Sequence, residues 1–198
     1  MTAAAANAMA FLLYAFIQGI TPGPANTVSF AAGMAHGRKR ALVQWTGLVA
    51  GFLAVSAASY GALWALGGTV QEALPVISVL GAAYVLYLAF KMLRPAHGAD
   101  GAQAARPTFK TGFIVQATNA KIIVACLAAF SSYVLPFSPD AASALLAVLV
   151  MPAVGTACNL VWLAGGAMLN GFYEAHRGVL DKAMAAALAL CAASMVMI

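Results

Sequence analysis

Charge is what this 198-residue chain has least of: Asp, Glu, Lys and Arg together make up 8% of it. A soluble domain carries about a quarter. With 64% hydrophobic residues and a mean hydropathy of +0.92, the chain reads as an all-α polytopic membrane protein. Acids are the scarcer sign, and all five (Glu72, Asp100, Asp140, Glu174, Asp181) fall in loops or at their edges. The expected spans therefore offer no carboxylate relay for moving protons. No basic side chain precedes the first apolar run, so that run reads as a first span rather than a secretory signal. Cysteine is sparse and odd in number. Cys126, Cys158 and Cys191 lie in apolar stretches, where free thiols pack as small hydrophobes. The histidines, His36, His97 and His176, fall in expected cytoplasmic loops, and no two are spaced as a zinc pair. No metal, cofactor or catalytic step is expected from this inventory.

What is present is apolar length. Polar punctuation divides the chain into six stretches, 9–33, 41–66, 74–93, 111–134, 141–168 and 179–198. Each supplies the roughly 20 residues that a spanning helix needs. Orientation follows from the bases. Arg38, Lys39 and Arg40 lie between stretches one and two. Lys91, Arg94, Arg106 and Lys110 lie about the connection from three to four, and Arg177 and Lys182 lie between five and six. The opposite connections contain only Glu72 and Asp140. The positive-inside rule then puts these basic segments in the cytoplasm and both termini in the periplasm. Basic cytoplasmic loops also account for the net charge of +5 and the pI near 9.3, with no need for a nucleic-acid partner. The lipid bilayer is the expected surrounding.

The Ala-, Gly- and Pro-rich connection at 95–110 reads as a linker between residues 1–94 and 111–198. Three spans in each half force opposite orientations, the inverted-repeat plan of many transporters. A trace survives in the letters. Phe16-Ile17 and Thr21 recur as Phe113-Ile114 and Thr118, at a constant offset of 97 residues.

The unusual residues of each half directly follow that threonine. In the first they are Pro22-Gly23-Pro24. Proline at 22 strips the carbonyl of Gln18 of its helical partner, and proline at 24 strips that of Ile20. A packing kink is one reading; a broken segment lining a wet cavity is the other. In the second half the matching segment is Thr118-Asn119-Ala120-Lys121. Lys121 lies roughly 14 Å into its stretch, close to the midplane of a hydrocarbon core about 30 Å thick. A cation there costs on the order of 2.5–3.5 kcal/mol and marks a functional site by default. Snorkelling to the interface is the alternative. The sharper expectation sets Lys121 opposite the Pro22–Pro24 break, its ammonium holding a substrate carboxylate. The freed carbonyls of Gln18 and Ile20 would take an amino group, while Gln116, Asn119 and Asn26 supply neutral hydrogen bonds. Asn159, a polar residue within stretch five near Pro152 and Gly155, joins this candidate site because its amide must find a partner. The Gly47/Gly51 and Gly19/Gly23 pairs have the spacing of close helix packing.

Thr21-Pro-Gly-Pro24, Gly33-Met-Ala-His-Gly-Arg-Lys-Arg40, Gly47-x-x-x-Gly51-Phe52 and Asn119-Ala-Lys121 together resemble the LysE/RhtB family of amino-acid exporters. Gly81-Ala-Ala-Tyr-Val-Leu-Tyr-Leu-Ala-Phe-Lys91 is similar to that family's third span. Asn119-Ala-Lys-Ile-Ile123, Tyr133-Val-Leu-Pro136 and Gly155-Thr-x-x-Asn159-x-x-Trp162 are most similar to its cysteine/O-acetylserine exporter branch. There are departures. Ala25 stands where an Asn commonly follows the second proline, and Ala120 where Pro or Val commonly precedes the lysine. Some distant relatives pass electrons between paired cysteines of spans one and four. Ser29 is the repeat counterpart of Cys126 here, so that pair is missing.

The resemblance implies a multi-pass protein of the bacterial inner membrane that exports small amino acids by alternating access. Thr21, Pro22, Gly23, Pro24, Thr118 and the polar residues named above form its expected substrate site. Lys121 would serve both substrate and proton. The rival is a channel-like permeation protein for another small solute or cation. A homodimer is left open by the glycine-rich helix surface.

Overall fold

The computed structural model describes residues 3–66, 74–93, 106–136 and 140–196. Among these residues every regular element is helical. They are α1 (Ala3–Ile20), α2 (Pro24–Leu66), α3 (Leu74–Leu93), α4 (Phe109–Ala117), α5 (Ala120–Ala129), a π-helical turn (Phe130–Val134), α6 (Ala141–Met168) and α7 (Asn170–Val196). Expectations that fall on Glu72, Arg94, His97 and Asp100 lie outside the described residues. So do those on the side chains of Tyr84, Lys91, Glu174, Arg177 and Cys191.

The expected third and fifth stretches coincide with α3 and α6. Two other boundaries differ. The connection expected around Arg38-Lys39-Arg40 is tighter than a loop: α2 is two helical pieces that meet at Gly37, whose φ of 71 and ψ of 170 are non-helical, and the bases open the second piece. That conformation belongs to the left-handed half of φ space that glycine reaches at no steric cost. The chain thus leaves the helix at this one residue, and the three bases stand exposed just beyond it. Likewise α7 begins at Asn170, nine residues before the expected 179, and its kink falls at His176. His176 itself is non-helical (φ −124, ψ 23), the point at which two helical pieces of α7 meet, and its ring stacks on Phe172 at 4.2 Å.

The distribution of polarity is the reverse of a soluble domain. Asn119 is 2% exposed and Asn159 4%, whereas Leu190 is 73% exposed and Leu146 63%. Burying amides while presenting leucine outward is favourable only where the surroundings are hydrocarbon. By length and apolarity α2 and α6 qualify as membrane spans among the described residues. The α4–α5 pair, bent by 56°, makes a third if taken as one.

Helix α2 is the centre of the bundle, packed on α6 and α4, while α3 packs on α7. The α2–α4 contact is a backbone approach. A side chain at Gly47 would overlap the carbonyl of Phe109, and one at Gly112 the carbonyl of Gln44. Small residues permit this closeness, as the four-residue glycine spacing implies. The Gly19/Gly23 pair divides its roles. Gly19 rests on Gly155, with its would-be Cβ 2.9 Å from the Gly155 Cα, whereas Gly23 lies against the Lys121 side chain.

Candidate functional site

Two breaks meet at the middle of the bundle. The first, Thr21–Gly23, separates α1 from α2; the second, Thr118–Asn119, separates α4 from α5. They are related by the same offset of 97 residues as the matched threonines.

Proline removes a backbone donor, and each carbonyl so freed must find another in a dry interior. All three such carbonyls are recaptured by a side chain from elsewhere in the chain. Lys121 Nζ donates to Gln18 O at 3.0 Å. Trp162 Nε1 donates to Ile20 O at 3.1 Å. In α6, Pro152 releases the carbonyl of Val148, which accepts from Ser56 Oγ at 2.9 Å. The π-helical turn is tied in a similar way, Asn7 Nδ2 donating to Tyr133 O at 2.7 Å.

Lys121 makes more than one such bond. Its ammonium also donates to Thr21 Oγ1 at 2.7 Å and to Thr21 O at 3.0 Å, with Pro22 O at 3.4 Å. The lysine reaches across to the first break and does not snorkel. Two expectations change here. Lys121 is not waiting without partners, since three short contacts match the three N–H donors of an ammonium. The carbonyls of Gln18 and Ile20 are likewise taken, by Lys121 and Trp162, so they have no open role toward an amino group.

Asn26 and Asn159 are also occupied. Asn26 Nδ2 donates to Gly19 O (2.8 Å) and Thr21 O (2.9 Å), its Oδ1 accepts from Asn159 Nδ2 (2.7 Å), and Asn159 Oδ1 accepts from Ser29 Oγ (2.8 Å). This continuous chain ties the end of α1 to α2 and α6. Both asparagines line the site; the hydrogen bonds expected to be free on Asn26 are spent on holding the break, while Asn159 has the partners that a buried amide needs.

Gln116 and Asn119 differ. Both are buried, at 3% and 2% exposure, and Gln116 Oε1 and Asn119 Oδ1 have no hydrogen-bond partner among the described residues. An unpaired buried acceptor costs about 1–3 kcal/mol, so its retention asks for a ligand. These two residues line one small cavity with Gln18, Gly23, Asn26, Lys121 and Asn159. Its volume is ≈ 20 Å³, space for about one water. The N-termini of α2 and α5 open at the same place, and helix N-termini favour anions.

Of the residues expected from sequence, the cavity gathers Gln18, Gly23, Asn26, Gln116, Asn119, Lys121 and Asn159. Thr21 and Pro22 reach the site as oxygens around Lys121, Pro24 only by freeing the Ile20 carbonyl. Thr118 turns back on its own helix, its Oγ1 donating to Ile114 O at 2.8 Å. Sequence reasoning missed the apolar wall formed by Leu48, Phe52 and Ile122, together with Thr156. Phe52 had a signal, since it directly follows the close-packing pair Gly47/Gly51.

Helices with lipid-facing leucines around a buried polar seam, broken where the seam is most polar, define a membrane translocator. Residues 16–198 match the family described as LysE type translocator. The chain belongs to that family, and it is a transport protein of the inner membrane. It is 32% identical over 184 residues to proteins named "Cysteine/O-acetylserine efflux protein" from Escherichia coli (strain K12) and Shigella sonnei (strain Ss046). The same name belongs to a 31% identical relative from Escherichia coli O1:K1 / APEC. In each case 92% of this chain and 94% of the relative are covered. No solved structure matches the chain.

Proposed function

We propose that the protein is a carrier, with no catalytic step, that exports small neutral amino acids or their derivatives, of the cysteine and O-acetylserine kind, from the cytoplasm. Two inverted three-helix repeats, residues 1–94 and 111–198 with a cytoplasmic linker at 95–110, would alternate access to a shared midplane site. Both termini would lie in the periplasm, with six spans in all. Support comes from the one-sided distribution of Lys and Arg, from the two breaks at matched positions, and from relatives named for cysteine/O-acetylserine efflux.

One observation carries this reading: Lys121 lines the same cavity as Gln116 and Asn119, the two residues whose buried amide oxygens have no partner among the described residues. An amino acid is a zwitterion. Its carboxylate fits beside the Lys121 ammonium and the helix N-termini, taking the place of one oxygen now bound to Lys121. Its ammonium fits the oxygens of Gln116 and Asn119, which replace the Gln18 and Ile20 carbonyls in that role. A cavity of ≈ 20 Å³ is too small for an amino acid, so the two halves must part to admit one.

Counterflow in proteoliposomes tests the carrier. Labelled cysteine or O-acetylserine should enter faster against an internal pool of the same compound, and the flux should saturate. Flux that never saturates and is not stimulated by exchange would instead establish a channel.

A further inference from the structure

The oxygens around Lys121 form a coordination shell. Gln18 O, Thr21 O, Thr21 Oγ1 and Pro22 O surround Nζ at 3.0, 3.0, 2.7 and 3.4 Å. None of these oxygens belongs to a carboxylate. Three are main-chain carbonyls, Gln18 in the last turn of α1 and Thr21 and Pro22 just beyond it, beside the negative end of the helix dipole. Neutral oxygens at the end of an interrupted membrane helix are the means by which unwound backbone holds a monovalent cation. Gly23 adds the approach route. A Cβ there would stand 3.1 Å from Lys121 Cδ and 3.4 Å from Nζ, so the cation reaches the backbone through space that a side chain would fill.

We propose that these four oxygens are a monovalent-cation site whose occupant is built into the chain as the Lys121 ammonium. The first break is then held together by a cation that cannot diffuse away. Shortening residue 121 should turn a protein indifferent to the salt around it into one that takes an ion from solution. At contacts of 2.7–3.0 Å the site suits ammonium or potassium.

The test uses the purified full chain in detergent, melted in choline, sodium, potassium or ammonium chloride at one ionic strength. Choline is too large to enter. The wild type should melt at the same temperature in all four. Lys121→Ala should melt lower in choline, and added potassium or ammonium should recover most of the deficit in a saturable way. Lys121→Met keeps the apolar stem in the site and should melt low in every salt. Lys121→Ser leaves the same space as alanine, suits the first turn of α5, and should behave like Lys121→Ala. Ala and Ser variants that respond to these ions no more than the wild type or Lys121→Met overturn the proposal. So does failure of both to fold in any of the four salts. Melting is read without transport, so this outcome is separate from the fate of the exporter reading.

Discussion

Ser56 on α2 donates its hydroxyl at 2.9 Å to the carbonyl of Val148 on α6, the one that Pro152 leaves without a helical donor. The pair converts a helix defect into an interhelical tie. Ser56→Ala should cost about 1 kcal/mol of stability, in the range of polar contacts between membrane helices. In a Pro152→Ala background the restored N–H of residue 152 takes the carbonyl, and the cost of Ser56→Ala should fall toward zero. A double-mutant cycle by thermal melting checks this, and purely additive losses would refute the coupling.

Close packing of α2 on α4 makes a second prediction, with its own control. Gly112→Ala should destabilise by about 3 kcal/mol, because the opposing atom is a main-chain oxygen that cannot swing aside. Gly61 has nothing within 4 Å of its would-be Cβ. Gly61→Ala should be neutral or raise stability by up to about 1 kcal/mol, the helix-propensity gain. Melting temperatures of the two variants should move in opposite directions or leave Gly61→Ala unchanged.

The unpartnered amides should separate stability from transport. Gln116→Ala and Asn119→Ala remove acceptors with no partner among the described residues, so neither should lower the melting temperature through a lost hydrogen bond. Export, read as the concentration for half-maximal counterflow, should weaken about tenfold or more in each, the worth of a hydrogen bond to a charged group. Unchanged counterflow in both variants would remove them from the site.

Asp140 supplies the pH dependence. Its carboxylate caps the N-terminus of α6, accepting from Ser143 N at 2.9 Å and Ala142 N at 3.1 Å. The bond from Ser143 holds its pKa below the ordinary carboxylate range. A group depressed in the folded state adds stability above its unfolded pKa and loses it as pH falls through the folded value. The contribution should therefore fade below about pH 4. Asp140→Asn, which keeps a capping oxygen but cannot ionise, should flatten that acid limb of a melting-temperature profile.

The sequence made the breaks legible because proline and a lone cation leave unmistakable marks in an apolar stretch. Pro22, Pro24 and Lys121 were read correctly as belonging together. It hid the partners, because a donor such as Trp162 or Ser56 is recruited from a helix more than ninety residues away and looks like any other residue on its own. The same limit explains Asn26 and Asn159. Asn26 promised free hydrogen bonds and Asn159 only the need of a partner, but only three dimensions show them bonded to each other, with Asn26 also spent on the end of α1. The basic run 38–40 marks its break for another reason. Charge ordinarily marks the end of a span, and here a glycine with positive φ breaks the helix directly before the charges, which stand exposed at the start of the next helical piece.

Phe52 rests on Gly155: a side chain added at Gly155 would strike the ring at Cε1, and both residues line the central cavity. In the proposed site the ring sets the space available to a substrate side chain, and the glycine behind it sets where the ring stands. Size selection is thereby physically separate from recognition of the zwitterion. A change at position 155 or 52 would retune which amino acid fits while the charged ends stay in register. Specificity could thus drift among such exporters one apolar residue at a time, with the polar machinery untouched.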